Sequence, residues 1–94
     1  MFVVNATCKT DNLTTLFMVV NDWCDMVTRL KNFIPNNNVN SKYLIYEIDN
    51  NLKHNLRSII TIKDDEYIVC NFVNDLEHAE THSSKNYLEV KSRI

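Results

Sequence analysis

The chain of 94 residues contains no glycine. Every backbone position therefore carries a Cβ or a proline ring, and turns that need positive φ must be built from residues that tolerate it poorly. A Walker A loop, a dinucleotide-binding fingerprint, a Gly-x-Ser-x-Gly elbow and an EF-hand turn are all excluded, since each relies on a backbone that a side chain blocks. Asparagine is the best substitute, and the chain holds 14 of them. Asn12, the run Asn36-Asn37-Asn38 and the pair Asn50-Asn51 stand where turns are expected and are read as doing glycine's work.

Residues with AT-rich codons (Asn, Ile, Lys, Phe, Tyr, Met) number 40, against 6 for Gly, Ala, Pro and Arg together. That balance points to an AT-rich genome, such as a phage, a virus or a low-GC microbe. The length allows one domain, 1–94. A hydrophobic fraction of 45% with 23% charge fits a folded soluble chain and argues against disorder. The net charge of −2 supplies no cationic field toward nucleic acid or a membrane. Cys8, Cys24 and Cys70 form no paired framework, and residues 1–5 carry no basic leader. The expected setting is cytoplasmic, with reduced thiols at least partly buried and Cys24 in the core.

Residues 2–9 alternate, with Phe2, Val4, Ala6 and Cys8 on one side, and predict a half-buried strand. Residues 13–34 admit two readings. The spacing of Leu13, Leu16, Val20, Trp23, Val27, Leu30 and Ile34 fits one long helix. The β-branched and aromatic content of 14–20 instead favours a hairpin with the first strand, followed by a helix from Trp23 capped by Asp22; this reading is preferred. Either helix ends before Pro35. Strands are predicted at 42–49, 57–63 and 67–73, the last two joined around Asp64-Asp65-Glu66. A short helix at 75–84 and a terminal strand or tail at Tyr87–Arg93 complete the chain. The expected fold is α+β: a mostly antiparallel sheet of four or five strands with one principal helix on one face, in the order ββαβββ.

Met1-Phe2-Val3-Val4-Asn5-Ala6 resembles the first signature of the RNA recognition motif, and Tyr67 to Phe72 its second, with Tyr87-Leu88-Glu89-Val90 similar to its last strand. Combined with the long-helix reading, this resemblance implies a ferredoxin-like βαβββαβ order. The chain departs from that pattern at Asp65, Glu66 and Ile68, where the motif carries a basic residue and glycines, and in the wide separation of the two signatures.

Catalytic and metal constellations are thin. His78-Ala79-Glu80 spells the His-x-Glu of zinc deaminases, but no cysteine follows Cys70 to complete the ligand set. His78 and His82 would share one helix face, a spacing that binds zinc, yet no further ligands are evident. Asp64, Asp65 and Glu66 are neighbours on one turn and do not converge as two-metal carboxylates do. No enzyme, cofactor or metal is expected; a metal-dependent hydrolase using His78 and His82 is the remotest alternative.

Parity along the central strands assigns Leu44, Tyr46, Ile48, Ile60, Ile62, Ile68, Cys70 and Phe72 to the face beneath the helix. The opposite face then collects Tyr43, Ile45, Glu47, Asp49, Arg57, Ile59, Thr61, Lys63, Tyr67, Val69, Asn71 and Val73, a mixed face where an antiparallel sheet facing water should be mostly polar. Tyr43, Ile45, Ile59, Tyr67, Val69 and Val73 would form an apolar patch rimmed by charge, with Arg57 joining the binding surface. The expected function is a non-enzymatic protein-interaction module: a small accessory or inhibitory protein, binding itself or a host protein and acting as a homodimer. An acidic rim of Asp64, Asp65, Glu66, Asp75, Glu77 and Glu80 would orient the partner. The alternative is single-stranded nucleic-acid binding on the same face, with Tyr43 and Tyr67 stacking bases while Arg57 and Lys63 meet phosphates. No membrane partner is expected.

Overall fold

In a computed structural model, the chain forms strands β1 (Phe2–Cys8) and β2 (Thr14–Val20), helix α1 (Trp23–Phe33), then β3 (Asn40–Ile48), β4 (His54–Lys63), β5 (Glu66–Val73) and β6 (Leu76–His82). The structure describes residues 1–37, 39–63, 66–73 and 76–82, with side chains described for 1–37, 39–63 and 68–70. The sheet order is β2-β1-β3-β4-β5-β6, and every neighbouring pair is antiparallel. The α+β architecture and the ββαβββ order of β1 to β5 are as the sequence predicts. Residues 76–82 pair along β5 as a sixth strand where a short helix was expected. The free edge of β5 offers a row of backbone partners that local propensity does not register. The predicted strand at Tyr87–Arg93 lies outside the described residues.

The β1–β2 hairpin replaces the long helix, so the ferredoxin-like order implied by the RNA recognition motif resemblance does not form. The hairpin turn places Asn12 at φ 59°, the left-handed conformation anticipated for it. Cys8 N–H donates to Leu13 O and Asn12 N–H to Cys8 O, each at 2.9 Å, while the Asp11 carboxylate accepts from Leu13 N–H.

Helix α1 starts where the sequence places it. Asp22 stays extended and its carboxylate accepts from Asp25 N–H at 2.9 Å, satisfying one of the open donors of the first turn. Met26 and Leu30 are fully buried, flanked by Trp23, Val27 and Phe33. These positions recur every three or four residues, so they form one stripe. The α-helix stops at Phe33 and passes into a single 3-10 turn, Ile34–Asn36, which accommodates Pro35. Cys24, expected in the core, is exposed on the outer side of the helix. No helix among the described residues is long and apolar enough to cross a membrane.

The turn between β3 and β4 uses its asparagines differently from the sequence expectation. Positive φ falls on Leu52, at 62°, and on neither Asn50 nor Asn51. Asp49 dictates this: its Oδ1 accepts from Asn51 N–H at 2.9 Å and from Lys53 N–H at 3.0 Å, folding the loop around one carboxylate. Left-handed backbone costs a residue with a Cβ about 1–2 kcal/mol, and Leu52 is 76% exposed, so no packing offsets it. Hydrogen bonds from the Lys53 and Asn51 backbone hold the Asp49 carboxyl below its ordinary pKa.

Two outcomes are expected here. Leu52→Gly raises stability by about 0.5–1 kcal/mol, seen as a higher urea midpoint at unchanged slope. Asp49 has a lower pKa folded than unfolded, so its contribution is complete above about pH 4 and is lost as pH falls through the folded value. Asp49→Asn flattens that acid limb of the stability–pH curve.

Candidate interaction surface

Register decides which side chains meet the helix. Tyr43 pairs with Ile60, Ile45 with Ser58, and Ile60 with Val69. In β1, Ala6 pairs with Tyr43 and Val4 with Ile45. Phe2, Val4, Ala6, Tyr43, Ile45, Ile60 and Val69 thus share one face, and together with Met26, Leu30 and Ile34 they form the core. Tyr43, Ile45 and Val69, placed by the sequence on an outer docking patch, are at 0% exposure beneath the helix. Parity was inverted in β3 and β5, while Ile60 and Ile62 do lie on the helix side.

In β3 the cause is the bulge at Arg57, which shifts the β3–β4 register by one; in β5 it is one residue of the turn. Lys63 pairs with Glu66, leaving two residues in the connection. The sequence reading allotted three, Asp64-Asp65-Glu66. A slip of one position in a strand of period two exchanges its faces.

Arg57 also departs from the expected patch. The β3–β4 register shifts between Ile45 and Tyr46, whose partners are Ser58 and Leu56, so Arg57 is the extra residue of a β-bulge. Its Nε donates to Glu47 Oε1 at 3.1 Å, in a half-buried ion pair. Ile59 is the one residue of the predicted patch that is described on the outer face. Tyr67 pairs with Ile62 and His82, and Val73 with Leu76; their side chains lie outside the described set. Glu66, Glu77 and Glu80 fall in β5 and β6, paired with Lys63, Phe72 and Val69 respectively. Asp64, Asp65 and Asp75 lie outside the described residues.

Tyr43 belongs to an aromatic cluster. Its ring meets Phe17 edge-on at 5.4 Å and Phe33 at 6.5 Å, and Phe17 lies 4.6 Å from Phe33. Asn40 Nδ2 donates to its hydroxyl at 3.3 Å, and burial pushes the phenol pKa up. A tyrosine held this way cannot stack a base, which removes one of the two platforms the nucleic-acid alternative requires. His78 and His82 lie on a strand, where positions four apart are about 13 Å apart, not one helical turn. Among the described residues no three His, Cys, Asp or Glu side chains gather closely enough to hold a metal ion.

The opposite face is arranged in rows across the strands. One row runs Leu16, Asn5, Leu44, Ile59 and Cys70; the next runs Val19, Val3, Tyr46 and Leu56. Asn5 is the single polar side chain in these two rows, with its neighbour Leu16 64% exposed and Val19 49% exposed. The others are half-buried. A third row, Thr14, Thr7, Lys42, Thr61 and Ile68, flanks them, with the Thr7 and Thr14 hydroxyls 2.8 Å apart. Past the other flank, the His54 ring stands edge-on to Tyr46 at 6.3 Å. An apolar stripe two residues deep therefore crosses β2, β1, β3 and β4, continued in one row by Cys70 of β5, and the only α-helix among the described residues covers the other face. The sequence contains every residue of this stripe; what it lacks is the register that aligns them.

The core assignment predicts that Tyr43→Phe costs only about 1 kcal/mol, the net value of one hydrogen bond. Ile45→Ala is expected to cost about 2–5 kcal/mol through lost burial and the cavity left behind. Urea unfolding checks both; a small loss for Ile45→Ala would return that residue to the surface. Compared with protein-family models, curated proteins and solved structures, the chain matches none.

Proposed function

We propose that the chain is a non-enzymatic protein-interaction module, a small accessory or inhibitory protein that works through the outer sheet stripe. The observation that carries this reading is the contiguity of Leu16, Val19, Val3, Leu44, Tyr46 and Ile59 on a sheet face opposite the helix. An antiparallel sheet that only meets water alternates apolar inside with polar outside. Here two adjacent rows break that rule together, with a polar row beside them. Contiguous apolar area of this kind is used for recognition in folded chains. Association through it draws on the hydrophobic effect, with Tyr46 as the aromatic residue of the type enriched at interface centres.

Ile59→Lys places a charge in the middle of the stripe. It is expected to leave unfolding free energy within about 1 kcal/mol and to abolish association with the native partner in a pull-down from the source cell. Asp11→Lys, a charge change at the β1–β2 turn, is expected to leave association intact. Retention of the partner by the Ile59→Lys protein would remove the stripe as the working surface.

A further inference from the structure

The stripe has a shape as well as a polarity, and its shape selects an occupant. Resting on the reading of the stripe as the working surface, we infer that it receives a single amphipathic α-helix of another protein, lying across the strands with carboxylates along the Lys42 side.

Size argues first. One row of side chains crosses five strands and the other four, at about 4.8 Å spacing, making a strip of roughly 300 Å². A stable dimer buries about 800 Å² on each partner, so a second copy meeting this face by its own stripe has too little surface. One helix of about 16 residues is about 24 Å long and 10–12 Å across, which is the outline of the strip.

Backbone chemistry argues second. The stripe is the face of paired strands: β1, β3 and β4 each have a neighbour on both sides, so their N–H and C=O groups are committed within the sheet. An extended peptide laid on that face would bury polar backbone with nothing to bond to. A helix brings its own hydrogen bonds. The protein already satisfies its other face in this way, with α1 presenting Met26 and Leu30 to the sheet.

Charge argues third. Lys42 is exposed in the flanking row among the hydroxyls of Thr7, Thr14 and Thr61, and no carboxylate stands in that row. A helix with aspartate or glutamate on one flank of its apolar face meets a cation and hydroxyl donors there. One with lysine on that flank meets like charge.

The test is selection of a displayed library of 16-residue helix-forming peptides on the full chain. The expected result is enrichment of sequences with apolar residues at i, i+3, i+4 and i+7 and acids on one flank. A synthetic peptide of that class should lose about fivefold in affinity on Lys42→Glu and all measurable binding on Ile59→Lys. Enrichment of extended or basic sequences, no enrichment, or indifference to Lys42→Glu overturns the inference. If selection fails while Ile59→Lys still abolishes capture of the native partner, the inference alone falls. If Ile59→Lys affects neither, the proposed function falls with it.

Discussion

The pairing of Tyr43 with Ile60, and of Ile60 with Val69, is the constraint on which the molecule depends. These three side chains and Ile45 fill the floor of the core, and α1 roofs it with Met26 and Leu30, joined by Ile34 of the 3-10 turn. Every other side chain on the central strands is placed by consequence. Once Tyr43 faces the helix, Leu44 and Tyr46 must face away, and once Ile60 does so, Ile59 must join them. A domain of this length has a net stability of about 5–14 kcal/mol. A few fully buried residues and one aromatic cluster account for a large share of what holds that register against its alternatives.

A chain without glycine pays for its turns in other ways. The β1–β2 hairpin closes with Asn12 in the left-handed region, where a short polar side chain is tolerated. The β3–β4 turn instead strains Leu52 and compensates with the Asp49 carboxylate, which gathers two backbone N–H groups. Bulges meet the same need inside the sheet. Phe17 is the extra residue in β2, where Met18 faces Val4 and Leu16 faces Asn5. Arg57 is the extra residue in β4. Phe17 thereby reaches Phe33 and Tyr43 while Leu16 turns outward. The bulge also bends β2, one of the sheet's two edge strands, a device that discourages edge-to-edge pairing.

The two faces of the one sheet differ in what covers them. The inner face is dry, shaped by aromatic contacts and closed by the chain's own helix. The outer face carries apolar residues of similar type but lacks a roof among the described residues, and a polar row with one lysine gives it a direction. Val3, Leu44 and Ile59 are half-buried, and Leu44 and Ile59 are directly cross-strand partners. Such side chains tolerate water singly and gain from its removal together.

Much of the plan is legible without coordinates. The hairpin of 2–8 with 14–20, the start of the helix at Trp23 under an Asp22 cap, its end before Pro35 and the left-handed Asn12 all rest on interactions between residues close in sequence. The existence of an apolar sheet face opposite the helix was legible too, because hydrophobic residues occupy both parities of β3 and β4. Which parity goes inward was not. That choice depends on the number of residues in a turn and on two bulges, and each extra or missing residue reverses a strand of period two. Local sequence therefore determined the elements and their order. Only the long-range pairing of β1, β3, β4 and β5 decided that Tyr43 and Ile45 hold the core while Leu44, Tyr46 and Ile59 face outward, since the faces of a strand are defined only by the neighbours it meets.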